Sequence, residues 1–145
     1  MRIHHSGAAA LALAAVLASA GFAAAEEMKF TAELSAANSV PPNDSAGTGT
    51  ADITYDTDSM ELSWTVEFSG LTGPMTAAHF HGPAAEGENA GVAVPIEGTE
   101  SPLAGSATLT EEQATQLTEG LLYVNIHTEA NPDGEIRGQV TEAAM

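Results

Sequence analysis

The sequence predicts an all-β domain, a sandwich or barrel of about eight short strands with one short helix near residues 110–119. Three observations carry this. Short runs rich in Val, Ile, Thr, Tyr, Phe and Trp alternate apolar with polar residues. Clusters of Gly, Pro, Asn, Asp and Ser separate those runs. Only the stretch 110–120 carries helical signals at both ends.

A leader precedes these elements. Arg2, the small apolar run Ala8 to Ala18 and the triplet Ala23-Ala24-Ala25 have the form of a secretory signal peptide cleaved before Glu26. The run is shorter than the ~20 residues a membrane span needs, and no later segment is apolar enough to cross. The expected division is a signal peptide over 1–25 and a single domain over 26–145, exported to a periplasmic or secreted location. That domain is an ordinary unit with a modest core, and without cysteine it must be stable with no disulfide. The formal net charge is −17; without Arg2 it is −18, from 20 acids against Lys29 and Arg137. Such a surface repels nucleic acid and anionic lipid and gathers cations. Solubility in a salty medium accounts for most of that acid, so charge alone names no ligand.

The first strand is "MKFTAELS", followed by a turn-rich loop, "AANSVPPNDSAGTG". "GTADITYD" and "MELSWTVEFSGL" are the next two, joined by "DTDS", where aspartates can bond their own backbone; that turn role is preferred to a calcium site. In the third strand Leu62, Trp64, Val66 and Phe68 point one way and Glu61, Ser63, Thr65 and Glu67 the other. "MTAAHFH" ends at Gly82-Pro83, and the loop "AAEGENAGVAVPIEG" leads into a short strand "GVAVPI". "SPLAGSATLT" is the sixth strand. The helix "TEEQATQLTEG" has Thr110 and Gln113 at capping-box spacing, Ala114 and Leu117 on an apolar side, and Gly120 at its end. "LLYVNIHT" and "GEIRGQVT" close the chain around the turn "EANPDG".

Of five histidines, His4 and His5 fall in the leader. His79 and His81 are two residues apart on a strand, so their rings share a face while Phe80 turns to the core. In "LLYVNIHT" the apolar Leu122, Val124 and Ile126 leave Tyr123, Asn125 and His127 on the opposite, polar side. All three remaining histidines thus lie on polar faces of two short strands, which points to one shared metal site at His79, His81 and His127. Singly, each has a plainer role as a surface or hydrogen-bonded residue. Spacing does not say whether the two strands are neighbours.

The segments "AAHFHGPA", "GENAGVAV" and "LTEEQATQLTEGLLYVNIHTEANPDGEIRGQV", with the earlier "ELSAANSVPPNDSAGTGTADITYD", resemble the chordin-type (CHRD) domain over about residues 30–141. The resemblance implies a small extracellular Greek-key β-sandwich or barrel, immunoglobulin-like or superoxide dismutase-like, without a reaction attached. A fainter resemblance is to Cu/Zn superoxide dismutase, whose barrel binds copper through His-x-His on one strand and a later histidine; His79, His81 and His127 fit those positions in order. The chain departs from that enzyme in lacking the bridging histidine, the other zinc-binding histidines and the disulfide cysteines, so dismutase activity is not carried over. Arg137 resembles that enzyme's anion-guiding arginine only loosely, and an ion pair holding the last strand is the preferred expectation for it.

Three neutral imidazoles suit copper or zinc, and copper binds more tightly at equal geometry. The leading expectation is a periplasmic copper-binding protein that buffers or carries the ion, with zinc the second choice. Met75, Met60, Met28 or water are candidates for a fourth ligand, although methionines are mostly packing residues. Asn125 can orient a ligand, and Tyr123 is either a wall of the site or surface. The partners expected are the metal ion and, for a carrier, a periplasmic protein; nucleic acid and a membrane span are not. The alternative is a non-catalytic module binding a protein or glycan, with structural histidines. An enzyme is the weakest option: three ligands with an open position permit one, but no nucleophile elbow, phosphate loop or acid/base pair accompanies them. Glu86, Glu88, Asp133 and Glu135 lie in loops near the histidines, read as solvated and given no role.

Overall fold

The computed structural model describes residues 26–144; the leader expected over 1–25 lies outside the described residues. Its strands are β1 (Glu27–Ser35), β2 (Thr48–Asp56), β3 (Glu61–Ser69), β4 (Met75–His81), β5 (Val92–Ile96), β6 (Leu103–Thr108), β7 (Tyr123–Thr128), β8 (Ile136–Gln139) and β9 (Thr141–Glu142), with one α-helix, α1 (Glu111–Thr118). Every pairing is antiparallel. The order is β5-β4-β7-β8-β1-β2-β3-β6, with β9 against β1. β1 to β3 form a meander. β6 then returns to the edge of β3 and β7 to the edge of β4, crossovers of the Greek-key kind. The terminal strands β5 and β6 approach each other without pairing, so the sheet curls into a nearly closed barrel.

The alternations become the inside of that barrel. Phe30, Ala32 and Leu34 of β1, Ala51, Ile53 and Tyr55 of β2, Leu62, Trp64 and Val66 of β3, Ala78 and Phe80 of β4, and Val124 and Ile126 of β7 are all buried in one cluster. Trp64 meets Phe80 edge to face with centroids 5.1 Å apart, which joins β3 to β4 across the interior.

The polar punctuation also behaves as read. Asp56 Oδ1 accepts the amides of Asp58 (2.9 Å) and Ser59 (3.0 Å), and these bonds hold its carboxyl below the usual range. Thr110 Oγ1 accepts from Gln113 N at 3.1 Å, and Gln113 Oε1 accepts from Thr110 N at 3.0 Å, completing the capping box of α1. Gln113 Nε2 also donates to Ala93 O at 3.0 Å, laying the helix over edge strand β5.

The last expected strand is in fact two. Val140 turns into the core and gives its amide to Leu122 O at 2.9 Å, one step beyond the last β7–β8 pair and in the same register; from Thr141 the chain pairs with β1 instead, as β9. What matters for the site is the central placement of β4, with β5 on one side and β7 on the other.

Candidate metal centre

β4 and β7 pair with Ala77 opposite His127, Ala78 opposite Ile126, His79 opposite Asn125 and His81 opposite Tyr123. Since side chains alternate across a strand, Ala77, His79 and His81 share the outer face with Tyr123, Asn125 and His127. His127 is therefore a diagonal neighbour of His79, and the small Ala77 opposite it leaves room for its ring. Although 46 and 48 residues separate it from the other two, His127 Nε2 lies 3.2 Å from His79 Nδ1 and 3.4 Å from His81 Nε2. The three histidines come together as the sequence implied, and they could hold a metal ion.

The far side of two of these rings fixes their protons. His81 Nδ1 lies 3.0 Å from Ala90 O, and His127 Nδ1 lies 2.8 Å from Pro132 O. A carbonyl can only accept, so in the neutral rings both Nδ1 atoms carry the proton and both Nε2 atoms hold a lone pair aimed at the common centre. A proton on His79 Nδ1 can satisfy its contact with His127, but then the 3.4 Å pair sets lone pair against lone pair. A cation among the three nitrogens resolves both contacts. Two nitrogens at about 2.0 Å from one ion, with a tetrahedral angle between them, stand about 3.3 Å apart; two of the three separations, 3.2 and 3.4 Å, bracket that value, and all three ligand atoms lie within 4.8 Å of one another.

The outer face is not the wet surface that alternation suggested. Two loops roof it, 82–91 after β4 and 129–135 after β7, so His81, Tyr123 and Asn125 are buried while His79 and His127 are half-buried. Loss of solvent is the main reason that both His79 and His81 stay below the ordinary imidazole pKa; the neighbouring histidines reinforce it for His79, and the Ala90 carbonyl opposes it for His81.

The roof corrects several expectations. Among the described residues Asn125 touches no histidine through a hydrogen bond; its Nδ2 donates to Asp133 O at 3.2 Å, next to the Pro132 carbonyl that fixes His127. It orients a ligand at one remove. Tyr123 is a buried wall: it stacks on His81 with centroids 5.1 Å and planes 7° apart, its hydroxyl donates to Ala90 O at 3.2 Å, and Ala90 N donates to that hydroxyl at 3.0 Å. Arg137 makes no ion pair among the described residues; it donates instead to the Ala85 and Glu88 carbonyls of the first loop, at 3.1 and 2.7 Å. Met75 sits in the core because the β4–β7 register shifts between Met75 and Ala77, and Met28 and Met60 pack against the same core, so their burial is packing.

Glu135 was missed. It is fully buried, not solvated: Oε1 accepts from the hydroxyls of Thr72 and Thr128 (2.9 Å) and from Asn131 Nδ2 (3.2 Å), and Oε2 from Ser45 Oγ (2.8 Å) and Thr72 N (2.9 Å). Burial by itself would raise its pKa, but these donors outweigh it and bring the value to about 2. The carboxylate pins the 129–135 loop, and with it the Pro132 carbonyl, to two distant segments, at Ser45 and Thr72, as well as to Thr128 at the end of β7. Its donors are spread along the chain, so no local pattern announces them. Glu86, Glu88 and Asp133 are exposed, as read.

The barrel and its outer face define a β-barrel protein carrying a three-histidine cluster competent for a metal ion. Over residues 30–140 the chain matches the CHRD domain, and it belongs to that family. No curated protein and no solved structure matches it.

Proposed function

We propose that this protein is exported and binds copper through His79 Nδ1, His81 Nε2 and His127 Nε2, buffering the ion or carrying it to a periplasmic partner. The observation that carries the reading is the pair of backbone carbonyls, Ala90 O and Pro132 O, that turn two Nε2 lone pairs towards a third nitrogen with no proton to share between His81 and His127. Neutral imidazoles suit copper and zinc, and copper stands above zinc in the affinity order. The half-exposed His79 and His127 leave the ion reachable by an incoming ligand, as exchange with a carrier requires. Export rests on Arg2, the Ala8 to Ala18 run and the Ala23-Ala24-Ala25 triplet, and the acidic surface suits a cation-gathering role.

Aerobic and anaerobic copper titrations of the protein, beside a variant with His79, His81 and His127 all changed to Ala, test this. One ion per chain in the parent and none at that affinity in the variant is expected; equal stoichiometry in both removes the proposal. An ion at 100 times its Kd stabilises the native state by about 2.7 kcal/mol, a shift in Tm on the order of 10 °C that a chelator reverses. No shift with copper or zinc would favour the alternative, histidines framing a protein- or glycan-binding module.

A further inference from the structure

Arg137 is one of only two formal cations beyond the leader, and the fold buries it to 2 % exposure. No carboxylate among the described residues lies in ion-pair contact with it; the exposed Glu86 attracts it only from beyond that contact distance. Its donors go to neutral oxygens: Nη1 to Glu88 O (2.7 Å) and Asn89 Oδ1 (3.3 Å), Nη2 to Ala85 O (3.1 Å) and Gln139 Oε1 (3.5 Å). Such dipoles solvate a buried charge but do not cancel its field. The guanidinium carbon rests 3.5 Å from the centroid of Tyr123, whose ring stacks on His81 at 5.1 Å. His81 and Arg137 come from β4 and β8, the strands on either side of β7, so the phenol ring lies between them. A full positive charge therefore stands one aromatic ring behind an imidazole of the candidate site.

We propose that Arg137 makes the His79, His81 and His127 site select a monovalent cation, Cu(I) or its analogue Ag(I), over a divalent one. The inference rests on the metal-binding reading above. Neutral imidazoles bring no negative charge to the ion, so nothing in the ligand set offsets the repulsion from Arg137, and that repulsion grows with each unit of charge on the ion. Over roughly 9 Å at an effective dielectric of about 20, Coulomb's law gives about a 20-fold penalty per added charge. The acidic surface does not undo this preference, because its carboxylates act through water and are screened within ~8–10 Å. They attract cations of either valence towards the protein, whereas Arg137 acts where the ligands are. A guanidinium that merely clamped the 82–91 loop would affect both kinds of ion alike.

The test measures Ag(I) and Zn(II) affinities separately, two redox-inert probes of charge +1 and +2, by competition with a chromophoric chelator at fixed ionic strength. The proteins are the parent, Arg137→Gln, Arg137→Lys and Asn89→Asp. Arg137→Gln removes the charge and is expected to lower the Ag(I)/Zn(II) affinity ratio about 20-fold. Arg137→Lys keeps the charge and should hold the ratio within a few-fold, even where losing the forked contacts weakens both ions. Asn89→Asp sets a carboxylate against the guanidinium from an exposed position, so it should lower the ratio in the same direction and keeps the test decisive if Arg137→Gln does not fold. An unchanged ratio in the folded charge-removing or charge-masking variants, or an equal fall in Arg137→Lys, overturns the proposal and leaves the metal site standing. Failure of the parent protein to bind either ion overturns the metal site itself.

Discussion

Replacing Glu135 with Gln should destabilise the protein by about 3 kcal/mol at neutral pH, with a pH dependence that identifies the cause. Glu135 titrates near 2 in the folded protein, against an ordinary value of 4.5, because five hydrogen bonds from Ser45, Thr72, Thr128 and Asn131 hold the ionised form. A gap of about 2.5 pKa units at about 1.4 kcal/mol each corresponds to about 3 kcal/mol. The folded value is the depressed one, so this stabilisation is complete above the unfolded pKa and is lost as pH falls from about 4.5 towards about 2; about half is left at pH 3. A neutral Gln has no such term, and either orientation of its amide sets an N–H against a donor: against Thr72 N in one, against Asn131 Nδ2 in the other. The loss is a fraction of the 5–15 kcal/mol typical of a domain, so the variant should still fold. Urea unfolding of parent and variant at pH 7 and pH 3 measures it. The stability difference should shrink by about half between the two, since the parent approaches the neutral state that the variant has throughout. A difference below about 1 kcal/mol at pH 7, or one equal at both pH values, would refute the role assigned to the ionised carboxylate.

Two further outcomes follow from the roof of the site. Gly134 has φ +125, and a Cβ there would lie 2.3 Å from Asn125 Oδ1, so Gly134→Ala should cost about 1–3 kcal/mol, raise the midpoint of metal titration by displacing the loop that carries Pro132 O, and show both as a lower Tm and a weaker ion in competition assays. Because burial holds His79 and His81 below the ordinary imidazole value, folded rings resist protons that the unfolded chain accepts; the metal-free protein should lose stability as pH falls through about 6.5, and ion binding should persist to lower pH than in a peptide spanning Ala77 to Pro83, as parallel titrations would show.

Much of this architecture was legible because it depends on local covalent geometry. Alternation along a strand is a property of the backbone itself, so the inward set Leu62, Trp64 and Val66 and the shared face of His79 and His81 could be read without knowing any partner strand. The Asp56 turn and the Thr110–Gln113 box close within four residues and were equally plain. Alternation misled where a face that looked polar was then covered: Tyr123 and Asn125 occupy the side opposite Val124 and are as buried as core residues.

The sequence by itself determined the strands up to the division of the last one, the turns and the three candidate ligands, since each follows from the chemistry and periodicity of neighbouring residues. Only the tertiary structure decided that β4 and β7 are adjacent, that Ala90 O and Pro132 O fix two ring tautomers, and that Glu135 and Arg137 are buried with no ion-pair partner among the described residues. Pairing between segments more than 40 residues apart is set by the global packing of the barrel, and loop carbonyls and hydroxyls have no periodicity from which their targets can be read.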